Sequence, residues 1–408
     1  MDLSNLEFLL TAPGQRLLGE ATASYDACSS HEATLSAATR LRGSYEPQHV
    51  SAAMTQVQLR HKARTKFGPD ADRLYLTPVG LEQATHRLLA DHRAERIATT
   101  GIRTVLDLAC GIGADLLALA RRNLEVVGID RDALAARCAG ANLSALGLPG
   151  RAVVGDALAF DRSGVDLVFV DPARRGAAGR VFDPHSFSPP WSFVEQLLAG
   201  DAVAKLAPGL PHALIPAAVE AEWVSLDGQL REAVLWSGRT AVHHRRATVL
   251  TGAGERFEIT DAGKSKEPSP DVRAVGEVLY EPDDAVIRAH LVGSFAALCN
   301  GWLLDPHLAY VSADDLHLTG LAKVYRVLER LPFKEKALRA ALRARDIGSL
   351  TIKKRGVMLT PEALRRKLGL RGSRSATLVV SRTPRSAVAL LVEKVENRPL
   401  QGSDSAGQ

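Results

Sequence analysis

Apolar positions fall into three regimes along the chain, and each predicts a different kind of structure. Up to about residue 100 they recur at helical spacing, with Ser and Thr at the starts and few turns, so residues 1–100 are expected to be helical. From 101 to 258, short continuous apolar runs alternate with helical stretches. The runs Thr104 to Leu108, Glu125 to Ile129, Arg151 to Val154 and Asp166 to Val170 read as strands buried on both faces, which means a parallel sheet in an α/β domain. Beyond 272 a helical segment, Ala285 to Leu298, precedes strand-like runs at Ser375 to Val380 and Ala387 to Glu393, predicting an α+β domain over 272–398. The polar stretch between, residues 259–271 with Pro268 and Pro270, reads as a linker, and 399–408 as a disordered tail.

Within the helical region, Thr77-Pro-Val-Gly-Leu-Glu-Gln-Ala-Thr-His-Arg-Leu-Leu-Ala90 places a Thr cap, a Pro at the first helical position and Leu81, Ala84 and Leu88 on one face. A helix beside the α/β domain follows. Farther along, Gln229 to Trp236 and Arg245 to Thr251 are β-branched runs expected to form a terminal antiparallel hairpin.

The chemistry lies at the strand ends. Val105-Leu-Asp-Leu-Ala-Cys-Gly-Ile-Gly-Ala-Asp115 is a strand, a glycine turn at Gly111 and Gly113, and the start of a helix ending at Arg121 and Arg122. Dinucleotide-binding folds use a similar turn, but Leu116 stands where G-x-G-x-x-G needs its last glycine. Asp107 would repel a pyrophosphate and attract the ammonium of a methionine. S-adenosylmethionine therefore fits better than NAD. The next strand ends on Asp130, where a carboxylate can take both ribose hydroxyls or cap the helix beginning near Asp132. Asp156 follows the third strand, placed for an adenine amine or for a turn. Ala109, in the glycine turn, belongs with Asp107, Gly111, Gly113, Asp130 and Asp156 in the candidate cofactor set.

The fourth strand runs into Asp171-Pro-Ala-Arg-Arg-Gly176. Methyl transfer from a sulfonium is an in-line displacement, so the protein mainly positions and desolvates the acceptor. Asp171, made rigid by Pro172, can accept the protons of an exocyclic amine, while Arg174 or Arg175 meets a phosphate or fixes the loop. Phe182, Phe187 and Trp191 follow, as candidates for stacking on a base or for anchoring the loop on the core.

These motifs resemble those of class I methyltransferases over about Thr104 to Gly254. The resemblance implies a Rossmann-like seven-stranded sheet, S-adenosyl-L-methionine as cofactor, and an acceptor held at Asp171. Amino-methyltransferases acting on nucleic acid carry Asp/Asn-Pro-Pro and an aromatic, whereas Ala173 and Arg174 stand here. The loop also resembles the Asp-Pro-Pro-Arg-x-Gly of RNA uridine C5-methyltransferases, which need a cysteine nucleophile. Cys28, Cys110, Cys138 and Cys299 all lie outside Asp171 to Leu250, which argues against carbon methylation. Cys110 and Cys138 read as small buried hydrophobes.

Charge distribution then bears on the acceptor. Gly320 to Arg398 holds 20 Lys or Arg against 6 Asp or Glu, while the whole chain is only +5. Lys334, Lys336, Arg339, Arg343 and Arg345 share one helical stretch, and Lys353, Lys354 and Arg355 follow. This is the footprint of a phosphate-backbone partner. A second cationic cluster, Arg60 to Lys66, contains Lys62 and Lys66 and leads into Phe67 and Tyr75, a pattern suited to a nucleic-acid strand or to a solvated helix face. The C-terminal region, with Gly348-Ser-Leu-Thr-Ile-Lys-Lys-Arg-Gly356, resembles the THUMP-like domain attached to bacterial class I methyltransferases whose cores are similar to RNA cap guanosine N2-methyltransferases. That resemblance implies RNA as partner.

At 408 residues and 46% hydrophobic content the chain has room for two or three well-buried domains. No run is long enough to span a membrane, no signal peptide is evident, and the four cysteines lack zinc or disulfide spacing, so a cytoplasmic enzyme without metal is expected. The sequence thus points to RNA base N-methylation, guanine first. A protein or small-molecule methyltransferase, or a non-catalytic RNA binder with a vestigial core, are the alternatives.

Overall fold

The computed structural model describes residues 1–26, 31–174, 187–263 and 268–396. The chain divides into two units, Met1–Glu220 with Ala233–Val242, and Ala221–Glu232 with His243–Gln408.

The first unit opens with six helices: α1 (Leu3–Leu10), α2 (Ala12–Asp26), α3 (His31–Leu41), α4 (Pro47–Phe67), α5 (Pro78–Gln83) and α6 (Arg87–Ala98). The single helix expected from Thr77 to Ala90 is two. Thr77 caps α5 as its sequence predicts, accepting the amide of Gly80 at 2.9 Å. The helix then stops because the Lys66 ammonium at the end of α4 takes the carbonyls of Leu81 (2.7 Å), Glu82 (2.7 Å) and Ala84 (2.9 Å). A cation on the last carbonyls both satisfies them and complements the helix dipole. The break leaves Thr85 between the helices, with its side chain buried.

A Rossmann-like core follows: β1 (Thr104–Leu108), α7 (Ala114–Ala120), β2 (Glu125–Asp130), α8 (Ala133–Leu146), β3 (Arg151–Val154), β4 (Leu167–Val170), a two-residue ribbon of β5 (Ala173–Arg174) and β6 (Phe187–Ser188), α9 (Trp191–Leu197) and β7 (Ala202–Leu206). Strand order in this unit is β3-β2-β1-β4-β7, all parallel, closed by the antiparallel end of β9 (Gln229–Trp236), for which β8 (Glu220–Leu226) is the preceding strand. All four residues of β4 are buried, as a strand covered on both faces requires. The order reverses between β1 and β4, and in open α/β sheets the ligand crevice lies beyond the strand ends at such a switch.

In the second unit β8 and the start of β9 form the hairpin, turning at Asp227-Gly228, while β10 (Arg245–Leu250) runs parallel to β8 and β11 (Arg256–Thr260) antiparallel to β10. The expected pairing of 229–236 with 245–251 is therefore corrected: β8 lies between them. β11 also occupies the beginning of the expected linker.

Seven further strands make a second sheet: β12 (Val278–Pro282), then α10 (Asp284–Arg288) and α11 (Val292–Leu298), then β13 (Trp302–Asp305), β14 (Leu308–Ala313), β15 (Ala322–Leu331), α12 (Glu335–Ala344), β16 (Ile347–Arg355), α13 (Pro361–Leu368), β17 (Arg374–Arg382) and β18 (Ala387–Lys394), in the order β13-β14-β12-β15-β18-β17-β16. Edge strand β16 and strand β12 stand four places apart in that order, yet Lys353 Nζ lies 2.6 Å from Glu281 Oε2. Arg382 of β17 likewise reaches Asp305 of β13 at 2.9 Å. Such contacts require a rolled sheet. Leu279, Tyr310, Tyr325 and Leu390 fill the inside of the roll, and α12 and α13 cover its outer face over Leu350, Ile352 and Leu378.

Candidate functional site

The site is built where β1, β2 and β4 end in the first unit. Asp107, on β1, is 2% exposed, and its Oδ2 meets no hydrogen-bond donor. Burial pushes its carboxyl well above the ordinary range; Asp115, Asp171 and Asp130 push it further, and Lys205 opposes them. An orphaned carboxylate oxygen is costly, and a cationic ligand group supplies what it lacks. The chain then turns sharply, with positive φ at Ala109 (65°), Gly111 (57°) and Gly113 (89°). Ala109 carries the strain of a side chain in left-handed space. At Gly113 a Cβ would come 3.2 Å from the Cβ of Ala139, so glycine there also lets the turn close onto α8.

The turn is fastened to the end of β2. Cys110 donates its amide to the Ile129 carbonyl at 2.9 Å, and Gly111 donates to Asp130 Oδ2 at 2.9 Å. Asp130 Oδ1 accepts the amide of Asp132 at 2.9 Å, and Asp132 in turn caps α8 through Leu134. Two of the roughly four lone-pair sites of the Asp130 carboxylate are thus used, and the others remain for hydroxyls. Asp156 is exposed and accepts the Leu158 amide at 3.0 Å, a turn contact that leaves its Oδ2 for a ligand.

Beyond β4, Asp171 is half-buried and Pro172 buried, followed by the β5–β6 ribbon. Asp171 forms an ion pair with Lys205 of β7. Lys205 also donates to Thr85 Oγ1 at 3.0 Å, and Thr85 donates to Asp115 Oδ2 at 2.7 Å. Arg93, 2% exposed and packed over the Phe169 ring at 5.7 Å, binds the other oxygen of Asp115. Burial raises the Asp115 carboxyl, but Arg93, Lys205 and Thr85 outweigh it and hold the group below its ordinary value. Asp115, Asp130 and Asp171 thus stand close enough to Asp107 to perturb it, with the partly buried Lys205 opposing them and the buried Arg93 holding Asp115. Sequence reasoning missed Thr85, Arg93 and Lys205; the available signal was a lysine inside the otherwise apolar run Ala202-Val-Ala-Lys-Leu206.

Family comparison agrees with this geometry. A methyltransferase-domain model matches residues 105–173 and a THUMP-domain-like model residues 322–394, while a domain of unknown function matches residues 2–63. Uncharacterized S-adenosylmethionine-dependent methyltransferases from two Mycobacterium tuberculosis strains are 36% identical over 336 residues, covering 79% of this chain and 90% of theirs. The chain belongs to the S-adenosylmethionine-dependent methyltransferases. Its fold is shared with a Porphyromonas gingivalis structure assigned to the methyltransferases, with TM-score 0.74, 21% identity and coverage of 94% of this chain and 99% of that one.

In this methyltransferase the residues expected to contact substrate are scattered. Lys62 is exposed on α4. Lys66 is the carbonyl-binding lysine described above, and Phe67 is 5% exposed, a core residue rather than a stacking platform. Trp191 opens α9 and is buried, as is Phe187, which favours the anchoring role for both. Arg174 lies on β5 and Arg175 outside the described residues, as do Phe182 and Cys28. Lys353 and Arg355 turn toward Glu281 in the rolled sheet, with Arg355 over the Tyr310 ring at 5.4 Å, so both are engaged internally rather than standing as free surface cations. Lys354, between them on the strand, is exposed. Burial pushes the thiols of Cys138 and Cys299 up to about 12, leaving both protonated. Among the described residues no helix is long and apolar enough to cross a membrane, and no cluster of three His, Cys, Asp or Glu could hold a metal.

Proposed function

We propose that this methyltransferase modifies a base nitrogen of RNA, with the exocyclic amine of guanine as acceptor. The observation that carries the RNA reading is the excess of Lys and Arg between Gly320 and Arg398, in and around the THUMP-like match. Several of those cations are engaged internally, but Lys336, Lys354, Arg366 and Arg371 are exposed. Guanine follows from the resemblance of the methyltransferase core to RNA cap guanosine N2-methyltransferases.

When bound, S-adenosylmethionine supplies an electrophilic methyl, whose C–S bonding electrons leave on sulfur as the acceptor nitrogen takes it. Asp107 receives the methionine ammonium, which answers its unpartnered oxygen. Gly111 and Gly113, with Ala109, shape the turn, and Asp130 takes the ribose hydroxyls with its remaining lone pairs. Asp156 meets the adenine amine. Asp171 accepts an N–H of the acceptor amine, aiming its lone pair at the methyl, and Pro172 makes the turn rigid. Arg174 and Arg175 are assigned to a neighbouring phosphate. After transfer the nitrogen sheds its extra proton to Asp171 or to water.

Incubating full-length protein with methyl-labelled cofactor and separated RNA, DNA and protein fractions tests this reading. Label in RNA is the expected result; label confined to protein or DNA overturns the substrate class.

A further inference from the structure

Within the site, one cation stands opposite the acceptor aspartate, and no motif of the cofactor turn or of the acceptor loop includes it. Lys205 is the fourth residue of β7, next to β4 in the sheet, and its side chain is 15% exposed. Its ammonium binds Asp171 on one side and the Thr85 hydroxyl, at 3.0 Å, on another. A lysine drawn largely out of solvent needs partners, and here the partners come from the residues around the reacting centre. We propose that Lys205 is a positioning residue for methyl transfer: from β7 it fixes Asp171 through one carboxylate oxygen, leaving the other to accept the N–H of the acceptor amine. The proposal rests on the assignment of Asp171 to the acceptor.

Three features support that role. First, Lys205 is held on a strand rather than on a loop, so its ammonium is placed by the sheet. Second, Thr85 is itself fixed by Asp115, whose other oxygen is bound by Arg93, so Lys205 cannot swing without disturbing a buried chain of contacts. Third, Asp171 stands close enough to Asp107 to raise its carboxyl, as Asp115 and Asp130 also do, so the site is rich in acidic groups with Lys205 opposing them. Without Lys205 the carboxylate of Asp171 would be free to turn toward solvent and away from them. The proton lost by the methylated nitrogen passes to Asp171 or to water.

The test compares Lys205→Met, Lys205→Arg and Asp171→Asn, singly and as the Lys205→Met/Asp171→Asn double variant, in the full-length protein. Cofactor Kd is read by calorimetry, thermal stability by melting, and kcat and KM by labelled methyl transfer to whichever fraction the wild type labels. Expected for Lys205→Met are a kcat reduced about 30- to 100-fold, an acceptor KM and a cofactor Kd within about threefold of wild type, recovery of most of kcat in Lys205→Arg, and a double variant no worse than Asp171→Asn alone. Unchanged kcat, a cofactor Kd weakened in parallel, or additive losses in the double variant would overturn the proposal. Should Lys205→Met fail to fold, Lys205→Gln, which keeps a polar head for Thr85 but removes the charge facing Asp171, carries the same comparison: a similar loss of kcat, not added to that of Asp171→Asn, is expected, and an unchanged kcat or additive losses would overturn the proposal. Because the ratios are read on any labelled fraction, label in protein would refute the RNA reading while leaving this one to stand or fall separately.

Discussion

The amide of Gly111 donates to Asp130 Oδ2 at 2.9 Å, so the turn after β1 and the end of β2 are one piece of structure. The same carboxylate shapes the cofactor turn and, in the proposed function, meets the ribose. Asp130→Ala should therefore weaken cofactor binding by about 10- to 100-fold and lower stability by about 1–3 kcal/mol, since a part-buried amide loses its acceptor. Asp130→Asn should fall between. Calorimetric titration beside a melting curve checks both; a variant that melts lower but binds normally would remove Asp130 from the ligand contacts.

Asp107 sets function against stability. Its folded carboxyl is raised by burial and by neighbouring acids, so the fold favours its neutral form. A raised acid contributes stability that is complete below the unfolded carboxylate value near pH 4 and is lost as pH climbs through the folded value. Asp107→Asn removes that loss. The ligand-free variant should melt higher than wild type at pH 8, with the gap narrowing at pH 5, while its cofactor affinity drops about 10- to 100-fold, as expected for losing a charged hydrogen-bond partner. Melting both proteins at the two pH values checks it, and an equal gap at both would contradict the assignment.

A basic cluster in sequence is not a basic surface. Lys66 binds three carbonyls at the end of α5, so Lys66→Met should destabilise the protein by about 2–3 kcal/mol without changing the salt dependence of RNA binding. Chemical denaturation and filter binding at several salt concentrations give the two readings. A shallower salt slope in Lys66→Met would show a phosphate contact instead.

The rolled sheet makes the same distinction within one strand. Glu281→Gln leaves Lys353 and Arg355 without their carboxylate and should cost about 1–3 kcal/mol in unfolding. Lys354→Ala should leave stability within about 0.5 kcal/mol and reduce the salt slope of RNA binding by about 1. The opposite pattern would mean that the strand presents its other face to RNA.

The cofactor side was legible because buried parallel strands read as short apolar runs, and Asp107, Asp130, Asp156 and Asp171 stand at or just beyond their ends. What was hidden lay where a charge is buried. Strand β8 escaped notice because Glu220 and Glu222 interrupt its apolar pattern; both are fully buried, Glu220 against Arg96 at 2.6 Å and Glu222 under the Thr248 hydroxyl at 2.5 Å. With β8 overlooked, its hairpin partner was mispaired. Lys205 was hidden in the same way, as a cation inside an apolar strand whose partner lies 34 residues away. The pairing of Lys353 and Arg355 with Glu281 was hidden for a complementary reason, since a linear run does not show which residues of a strand turn inward.

Base-nitrogen methylation of RNA is tested most directly by the identity of the product nucleoside. Total RNA from cells lacking this protein is incubated with the full-length enzyme and methyl-labelled cofactor, then digested and resolved into nucleosides. The account predicts label in a guanosine methylated on its exocyclic amine and none with Asp171→Ala; label on a base carbon or a ribose oxygen, or persisting in Asp171→Ala, would contradict it.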